Sequence, residues 1–176
     1  MADKEILSTW QSGWLRVDTE RVALPNGNET ELAIVRHPGA ACILPFVSED
    51  EVLLIRQYRH ATGGNILEVP AGKLDPNETP EACAGRELIE ETGYRAGRIE
   101  HLSSIWTTPG FTDEVIHLYA AFELEHVGQQ LEADEVIELV PMSLGDALAC
   151  VFSGELNDAK SALALLLAAR SLGKLS

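Results

Sequence analysis

The sequence predicts a protein of the α/β or α+β class built around a mixed sheet, and three observations support this prediction. Strand-like apolar segments interleave along the chain with segments that carry helix-capping residues. The composition, 45% hydrophobic and 23% charged, is ordinary for a globular protein. A length of 176 residues, without a linker or an internal repeat, is suited to one fold with a sizeable core.

Strands are predicted through the first half of the chain. Residues 14–35 alternate loosely between apolar and polar side chains around a turn at 25–28, which indicates an N-terminal hairpin or meander. Segments 41–47 and 52–58 are apolar enough for buried strands, and a polar turn separates them. A further apolar segment, 67–69, leads into a Pro-Ala-Gly loop.

The best-marked helix follows this loop. Thr79 is suited to its N-cap, Pro80 to its first position and Gly93 to the left-handed residue after its end. The other predicted elements are strands at 99–107, 115–124 and 136–142, a helix from Ser143 to near Gly154, and a helix from Asn157 or Asp158 to near Gly173.

Charge, apolar run length and cysteine environment together restrict the partners and the cellular location that we expect. With 13 Lys and Arg against 28 Asp and Glu, the net charge is −15, so a nucleic-acid partner is not expected. The longest apolar run, 162–169, is too short to span a bilayer, and no secretory signal is predicted. Cys42, Cys83 and Cys150 are predicted to be buried free thiols in a reducing compartment, so we expect a cytoplasmic protein.

Residues 72–94 contain an informative spacing of charges. Glu87, Glu90 and Glu91 share one side of the predicted helix, where like charges repel. A hard divalent cation with oxygen ligands, Mg²⁺ or Mn²⁺, would compensate that repulsion. Arg86, four residues before Glu90, can orient one of the carboxylates. An acid-rich helical face is also common as a solvated surface, and the wider pattern decides between the two interpretations.

That wider pattern is Gly-x5-Glu-x7-Arg-Glu-U-x-Glu-Glu-x-Gly-U, where U is apolar or aromatic. It resembles the sequence box of the Nudix hydrolases, Mg²⁺-dependent enzymes that cleave a nucleoside diphosphate linked to another moiety. The resemblance implies an α/β/α sandwich with a mixed sheet. The matching residues are Gly72, Glu78, Arg86, Glu87, Leu88, Glu90, Glu91, Gly93 and Tyr94.

The resemblance also implies roles for these residues. Glu87 and Glu91 are expected to bind metal, with the carbonyl of Ala71 as a further ligand. Glu90 is expected to support the metal or to take part in catalysis. The residues expected mainly to hold the loop and helix in shape are Gly72, Glu78, Arg86 and Gly93.

Flanking residues resemble the ADP-ribose pyrophosphatases and their nucleoside-diphosphate-sugar relatives. Pro109 follows Tyr94 by fifteen residues, within a loop at 108–114 that is similar to theirs. The implied reaction is hydrolysis of ADP-ribose to AMP and ribose 5-phosphate, and the alternative substrates are GDP-mannose and ADP-glucose. The expected substrate-binding residues are Arg56, Arg59, Pro109, Gly110, Phe111, Glu114, Trp14 and Arg16.

One departure from that resemblance concerns the general base. In the loop at 131–136, Glu135 matches a metal-binding and catalytic position, but Ala133 occupies the usual position of the base. Glu132 lies one residue away, and Glu90 and Glu114 are the other candidates. The identity of the base therefore stays open, as does a preference for another nucleotide sugar.

The resemblance divides the chain into an N-terminal strand region, residues 1–40, and a Nudix hydrolase domain, residues 41–176. The first region is expected to form a homodimer and to contact the substrate base, with Trp14 and Arg16 as the candidate residues. A ligand-sensing domain that binds without cleaving is a different class of function. The complete box and the acidic charge argue against it.

Overall fold

The computed structural model describes residues 4–131 and 136–175. The chain forms two compact units. The first unit comprises the chain up to Gly39 together with Ile105–Val115, and the second comprises Ala40–Ser104 and the chain from Ile116 onward. Glu132, Ala133 and Glu135, which the sequence places around the base, lie outside the described residues.

The described residues form ten strands, three α-helices and one short 3-10 helix, His60–Thr62. The strands are β1 (Lys4–Ser12), β2 (Leu15–Ala23), β3 (Glu29–Arg36), β4 (Ala40–Pro45), β5 (Glu51–Arg59), β6 (Gly64–Glu68), β7 (Ala71–Lys73), β8 (Tyr94–Trp106), β9 (Val115–His126) and β10 (Ile137–Ser143), and the helices are α1 (Pro80–Thr92), α2 (Leu144–Ser153) and α3 (Ala159–Ser171).

The first unit contains an antiparallel sheet in the order β1-β2-β3. The predicted hairpin is β2 and β3, and its turn closes where the Asn26 side chain accepts a hydrogen bond from the amide of Asn28. β1 was not predicted. Every residue of β1 is exposed, so its sequence carries no apolar periodicity that would mark a buried face.

The second unit contains two sheets. One is antiparallel in the order β10-β5-β6, and the other has the order β7-β4-β9-β8. Within the latter, β4 runs parallel to β9 and antiparallel to β7, so the sheet is mixed, as predicted.

Helix α1 packs on one face of β4. Ala41 and Ile43 of β4 join Leu88 of the helix in one buried cluster. Cys42 points to the opposite face, where the charges of Lys160 and Asp158 at the start of α3 act on it. The mixed sheet thus lies between two helices, in agreement with the predicted sandwich.

The predicted caps of α1 are confirmed. The Thr79 hydroxyl accepts a hydrogen bond from the amide of Ala82 at 3.3 Å, and Pro80 is the first helical residue. Gly93 ends the helix with φ of 76°. A Cβ there would also lie 2.7 Å from the backbone nitrogen of Gln129, so both conformation and space require glycine.

The cysteines differ in exposure. Cys42 and Cys83 are buried, as predicted, and burial raises the pKa of each thiol to about 12. The prediction was wrong for Cys150, which is partly exposed because it lies off the face of α2 that buries Leu144, Ala147 and Leu148. Among the described helices, none is long and apolar enough to cross a membrane.

Candidate active site

The segment from Glu68 to Gly72 is held against the central strand β4. The amide of Ile43 donates to the carbonyl of Pro70 at 2.9 Å, and Ala71 pairs with Cys42 in the ladder between β7 and β4. The backbone that would supply the predicted carbonyl ligand is therefore fixed by the sheet.

Two buried carboxylates of α1 face this backbone. Glu87 is 8% exposed and Glu91 is 1% exposed, one helical turn apart. Glu91 Oε2 accepts a hydrogen bond from the amide of Ala71 at 2.9 Å. A Cβ on Gly72 would lie 1.8 Å from Glu87 Oε1, so any side chain at position 72 would displace that carboxylate. Glycine at position 72 is therefore required to keep the Glu87 carboxylate in this position.

Arg86 gathers three of the acidic side chains. Its Nε and Nη2 groups each donate to one oxygen of Glu78 at 2.9 Å. Its Nη1 group donates to Glu87 Oε1 at 2.6 Å and to Glu90 Oε2 at 2.9 Å. The hydrogen bonds from Arg86 lower the pKa of Glu78 to about 2. The repulsion predicted along this helix is thus offset by one guanidinium as well as by any bound cation.

The donor set is suited to a hard divalent metal. Within residues 4–131 and 136–175, no three His, Cys, Asp or Glu side chains come together in an arrangement that would itself hold a metal ion. Two buried carboxylates beside the backbone of Ala71 and Gly72 nevertheless match Mg²⁺, which commonly takes one or two carboxylates and completes its shell with waters and substrate phosphates.

The two candidate arginines of β5 lie on opposite faces of the strand, because they are three positions apart and side chains alternate between the faces. Arg59 donates from Nε and Nη2 to the two oxygens of Glu68, at 2.7 and 3.2 Å. Burial alone would lower the pKa of Arg59, but Glu68 and the nearby charge of Glu91 raise it. Arg56, by contrast, has its Nε group 3.8 Å from Glu138 Oε2. Only Arg59 is on the face that carries Glu68.

The sequence analysis did not identify the residues that hold Arg59 in place. Glu68 is 1% exposed, and its Oε2 atom also accepts a hydrogen bond from Lys160 at 2.5 Å. The side chain of Ser161 accepts one from the amide of Val69 at 2.9 Å. The available signals were a single glutamate among the apolar residues 66–69, and a single lysine in a helix rich in Ala and Leu.

Gln57 stands on the same face of β5 as Arg59. It is 6% exposed, and its Oε1 atom is the one buried side-chain polar atom without a hydrogen-bond partner in the part of the chain that the structure describes. In the ladder it is opposite Ile137, directly after the loop that carries Glu132 and Glu135.

The remaining candidates belong to the first unit. The indole of Trp14 is 51% exposed and meets the His37 ring edge-on, with the centroids 5.0 Å apart. Arg16 donates from Nε to Asp18 Oδ1 at 2.9 Å. Since Asp18 is 1% exposed, Arg16 partly serves to neutralise a buried carboxylate of the sheet.

The loop that contains Pro109 and Gly110 is anchored to β3. The amide of Val35 donates to the carbonyl of Phe111 at 2.8 Å, and the Thr107 hydroxyl donates to Glu114 Oε2 at 2.7 Å. The Phe111 ring is 53% exposed. A cavity of about 400 Å³ in this unit is lined in part by Trp106 and Pro109.

The family model described as the NUDIX domain matches residues 35–163, which is most of the chain. The chain belongs to the NUDIX family. This NUDIX chain is 42% identical to the ADP-ribose pyrophosphatase of Bacillus subtilis over 148 residues, covering 83% of this chain and 80% of the relative.

Two other relatives carry different names. The methanol dehydrogenase activator of Bacillus methanolicus is 39% identical over 153 residues, covering 86% of this chain and 83% of its own. The GDP-mannose pyrophosphatase of Citrobacter koseri is 39% identical over 140 residues, covering 74% of the NUDIX chain and 72% of its own.

The fold is also that of a solved structure. The crystal structure of an ADP compounds hydrolase superposes with a TM-score of 0.84 and 24% identity, covering 98% of this chain and 95% of the other. At that identity the match establishes the fold, and it agrees with the predicted Nudix-type sandwich.

Proposed function

We propose that this NUDIX chain is a pyrophosphohydrolase that cleaves ADP-ribose to AMP and ribose 5-phosphate with the help of Mg²⁺ or Mn²⁺. The observation that carries the proposal is the pair of buried carboxylates, Glu87 and Glu91, set against the backbone of Ala71 and Gly72. The ADP-ribose pyrophosphatase among its relatives supports the choice of substrate.

Glu87, Glu91 and the carbonyl of Ala71 would hold the metal. When bound, the cation neutralises diphosphate charge and lowers the pKa of a coordinated water. Arg86 already shares a hydrogen bond with Glu87, so it orients that carboxylate and offsets its charge before a metal binds.

Arg59 would clamp the diphosphate. A guanidinium offers a planar set of donors that matches phosphate oxygens, and Glu68 keeps this one in a single orientation. Because the protein is acidic overall, such a fixed local cation matters for binding an anion.

The base would take a proton from the attacking water while the bridging P–O bond breaks. The Glu90 carboxylate accepts a hydrogen bond from the same Arg86 group that binds Glu87, so it is oriented along the helix face. We place the base at Glu132 or Glu135, both of which lie outside the described residues.

The test is phosphate release, coupled to a phosphatase, from equal concentrations of ADP-ribose, GDP-mannose, ADP-glucose and a nucleoside triphosphate in Mg²⁺. Preferred cleavage of ADP-ribose is the expected result. Preference for GDP-mannose, the substrate named in the Citrobacter koseri relative, would keep the metal site and replace the substrate. Cleavage of none of them would overturn the proposal.

We propose further that residues 1–40 pair with a second copy of the chain. Strand β1 is exposed along its whole length and is an edge of its sheet, with Ile6 at 48% and Trp10 at 56% exposure. An apolar edge strand is a template for pairing with another chain. Sedimentation equilibrium should give twice the monomer mass, and a monomer would overturn this part.

A further inference from the structure

A chain of charged side chains runs through the second unit from β5 to the start of α3. Arg59 contacts Glu68, Glu68 contacts Lys160, and Lys160 Nζ donates to Asp158 Oδ2 at 2.9 Å. The side chain of Lys160 is only 12% exposed and that of Glu68 is 1% exposed. Buried charges of this kind are costly unless they are paired, and here each one is.

The same residues hold the backbone that leads into the candidate metal site. Asp158 is the N-cap of α3 and accepts a hydrogen bond from the Ser161 hydroxyl. That hydroxyl in turn accepts a hydrogen bond from the amide of Val69, two residues before Ala71. The network therefore joins the proposed phosphate clamp and the proposed metal loop to a single helix end.

The balance of charge shows what Lys160 adds. Arg59 and Lys160 supply two positive charges, and Glu68 and Asp158 supply two negative ones. Without Lys160, Glu68 would neutralise Arg59 alone and the cluster would carry a net charge of −1. A carboxylate shared between two cations leaves more of the guanidinium's charge available to an incoming phosphate.

The charge state of Lys160 fits this arrangement. Burial by itself would lower the pKa of Lys160, but Glu68 and Asp158 outweigh burial and raise it. The ammonium group is therefore kept protonated at neutral pH. The atoms of Arg59 that Glu68 contacts are Nε and Nη2, so Nη1 takes no part in that pair.

We propose that Lys160 is a positioning residue for substrate binding: by holding one oxygen of Glu68, it orients Arg59 toward the diphosphate and keeps its positive charge available. The inference rests on the proposed function, in which Arg59 binds the diphosphate. A merely structural role for the network would instead change stability and leave substrate affinity unaltered.

The experiment compares Lys160→Met, Lys160→Arg and a matched control, Lys174→Met, whose lysine pairs with Asp50 at the surface. For Lys160→Met we expect KM for ADP-ribose to rise about tenfold and kcat to stay within about twofold, since lost orientation weakens binding. Lys160→Arg keeps the charge and should recover most of the affinity. Lys174→Met should match the wild type.

Two further measurements separate positioning from structure. In an Arg59→Ala background, Lys160→Met should change KM by less than about twofold, because the two residues act as one unit. Calorimetric titration of ADP-ribose in EDTA should show the same tenfold weakening in Kd without turnover. If Lys160→Met does not fold, as judged by circular dichroism, Lys160→Gln replaces it, since its amide still donates to Glu68 without a charge.

The outcomes are distinct. A wild-type protein that cleaves no ADP-ribose would overturn the proposed function. An active wild type with an unchanged KM in Lys160→Met, or with the same tenfold rise in the Arg59→Ala background, would overturn only the positioning role.

Discussion

Glu91 is the residue that bears most directly on the proposed metal site, because it is almost fully buried and its carboxylate meets the amide of Ala71. Glu91→Gln keeps an oxygen that can accept this hydrogen bond while it removes the charge. We expect turnover to fall at least about a hundredfold, since a lost metal ligand is worth several kcal/mol.

Circular dichroism should show that Glu91→Gln keeps its fold. The matched control is Glu81→Gln, in the first turn of the same helix, where the side chain is exposed. An active Glu91→Gln would contradict the assignment of this carboxylate to the metal.

The lowered pKa of Glu78 predicts how the free energy of unfolding depends on pH. Hydrogen bonds from Arg86 lower its pKa from 4.5 to about 2. Between those pH values the unfolded chain binds a proton at Glu78 and the folded chain does not, so acidification through this window favours unfolding. The stabilisation is therefore complete above about pH 4.5 and lost near pH 2.

The measurement is urea unfolding of the wild type and of Glu78→Gln. At pH 7 the variant should be less stable by about 2 kcal/mol, the usual value for a hydrogen bond to a charged group. The difference should shrink toward zero as the pH falls to about 2. A difference that does not change with pH would contradict the pairing with Arg86.

At the scale of the element, the end of α1 differs from the end of α2. Gly93 and Gly154 both adopt left-handed conformations, with φ of 76° and 81°. A Cβ at Gly154 would meet nothing within 4 Å, but at Gly93 it would lie 2.7 Å from the nitrogen of Gln129. We expect Gly154→Ala to cost about 1 kcal/mol and Gly93→Ala clearly more, about 2–4 kcal/mol.

Denaturant unfolding of both variants measures this difference. The comparison isolates the close approach between helix end and neighbouring backbone from the conformational cost that the two glycines share. Equal losses would show that the backbone at 128–129 moves aside without cost.

Elements that carry local signals were predicted well. Thr79, Pro80 and Gly93 mark α1 within their own sequence neighbourhood, and the structure confirms each role. The pairing of Glu68 with Lys160 joins residues 92 positions apart, so no local sequence pattern predicts it. The opposite faces of Arg56 and Arg59 follow from strand periodicity and were already implicit in their spacing. Strand β1 lacked any buried face to reveal it.

At the scale of the whole molecule, the exposed strand β1 is the element through which we expect two copies of the chain to pair. Ile6→Lys adds a charge to this edge, a substitution that disfavours pairing between edge strands. We expect the variant to sediment as a monomer, in contrast to the dimer proposed for the wild type. Leu32→Lys, on the other outer strand of the same sheet, is the control and should remain dimeric.

The thiols described with the fold offer a practical route to these experiments. Burial raises the pKa of Cys42 and Cys83 to about 12, so almost none of either is thiolate at neutral pH, and neither side chain is open to reagents. Cys150, partly exposed on α2, should therefore react first with a maleimide dye. One fluorophore per chain would then report assembly by energy transfer without engineered cysteines, and mass spectrometry of the digested conjugate would verify the position.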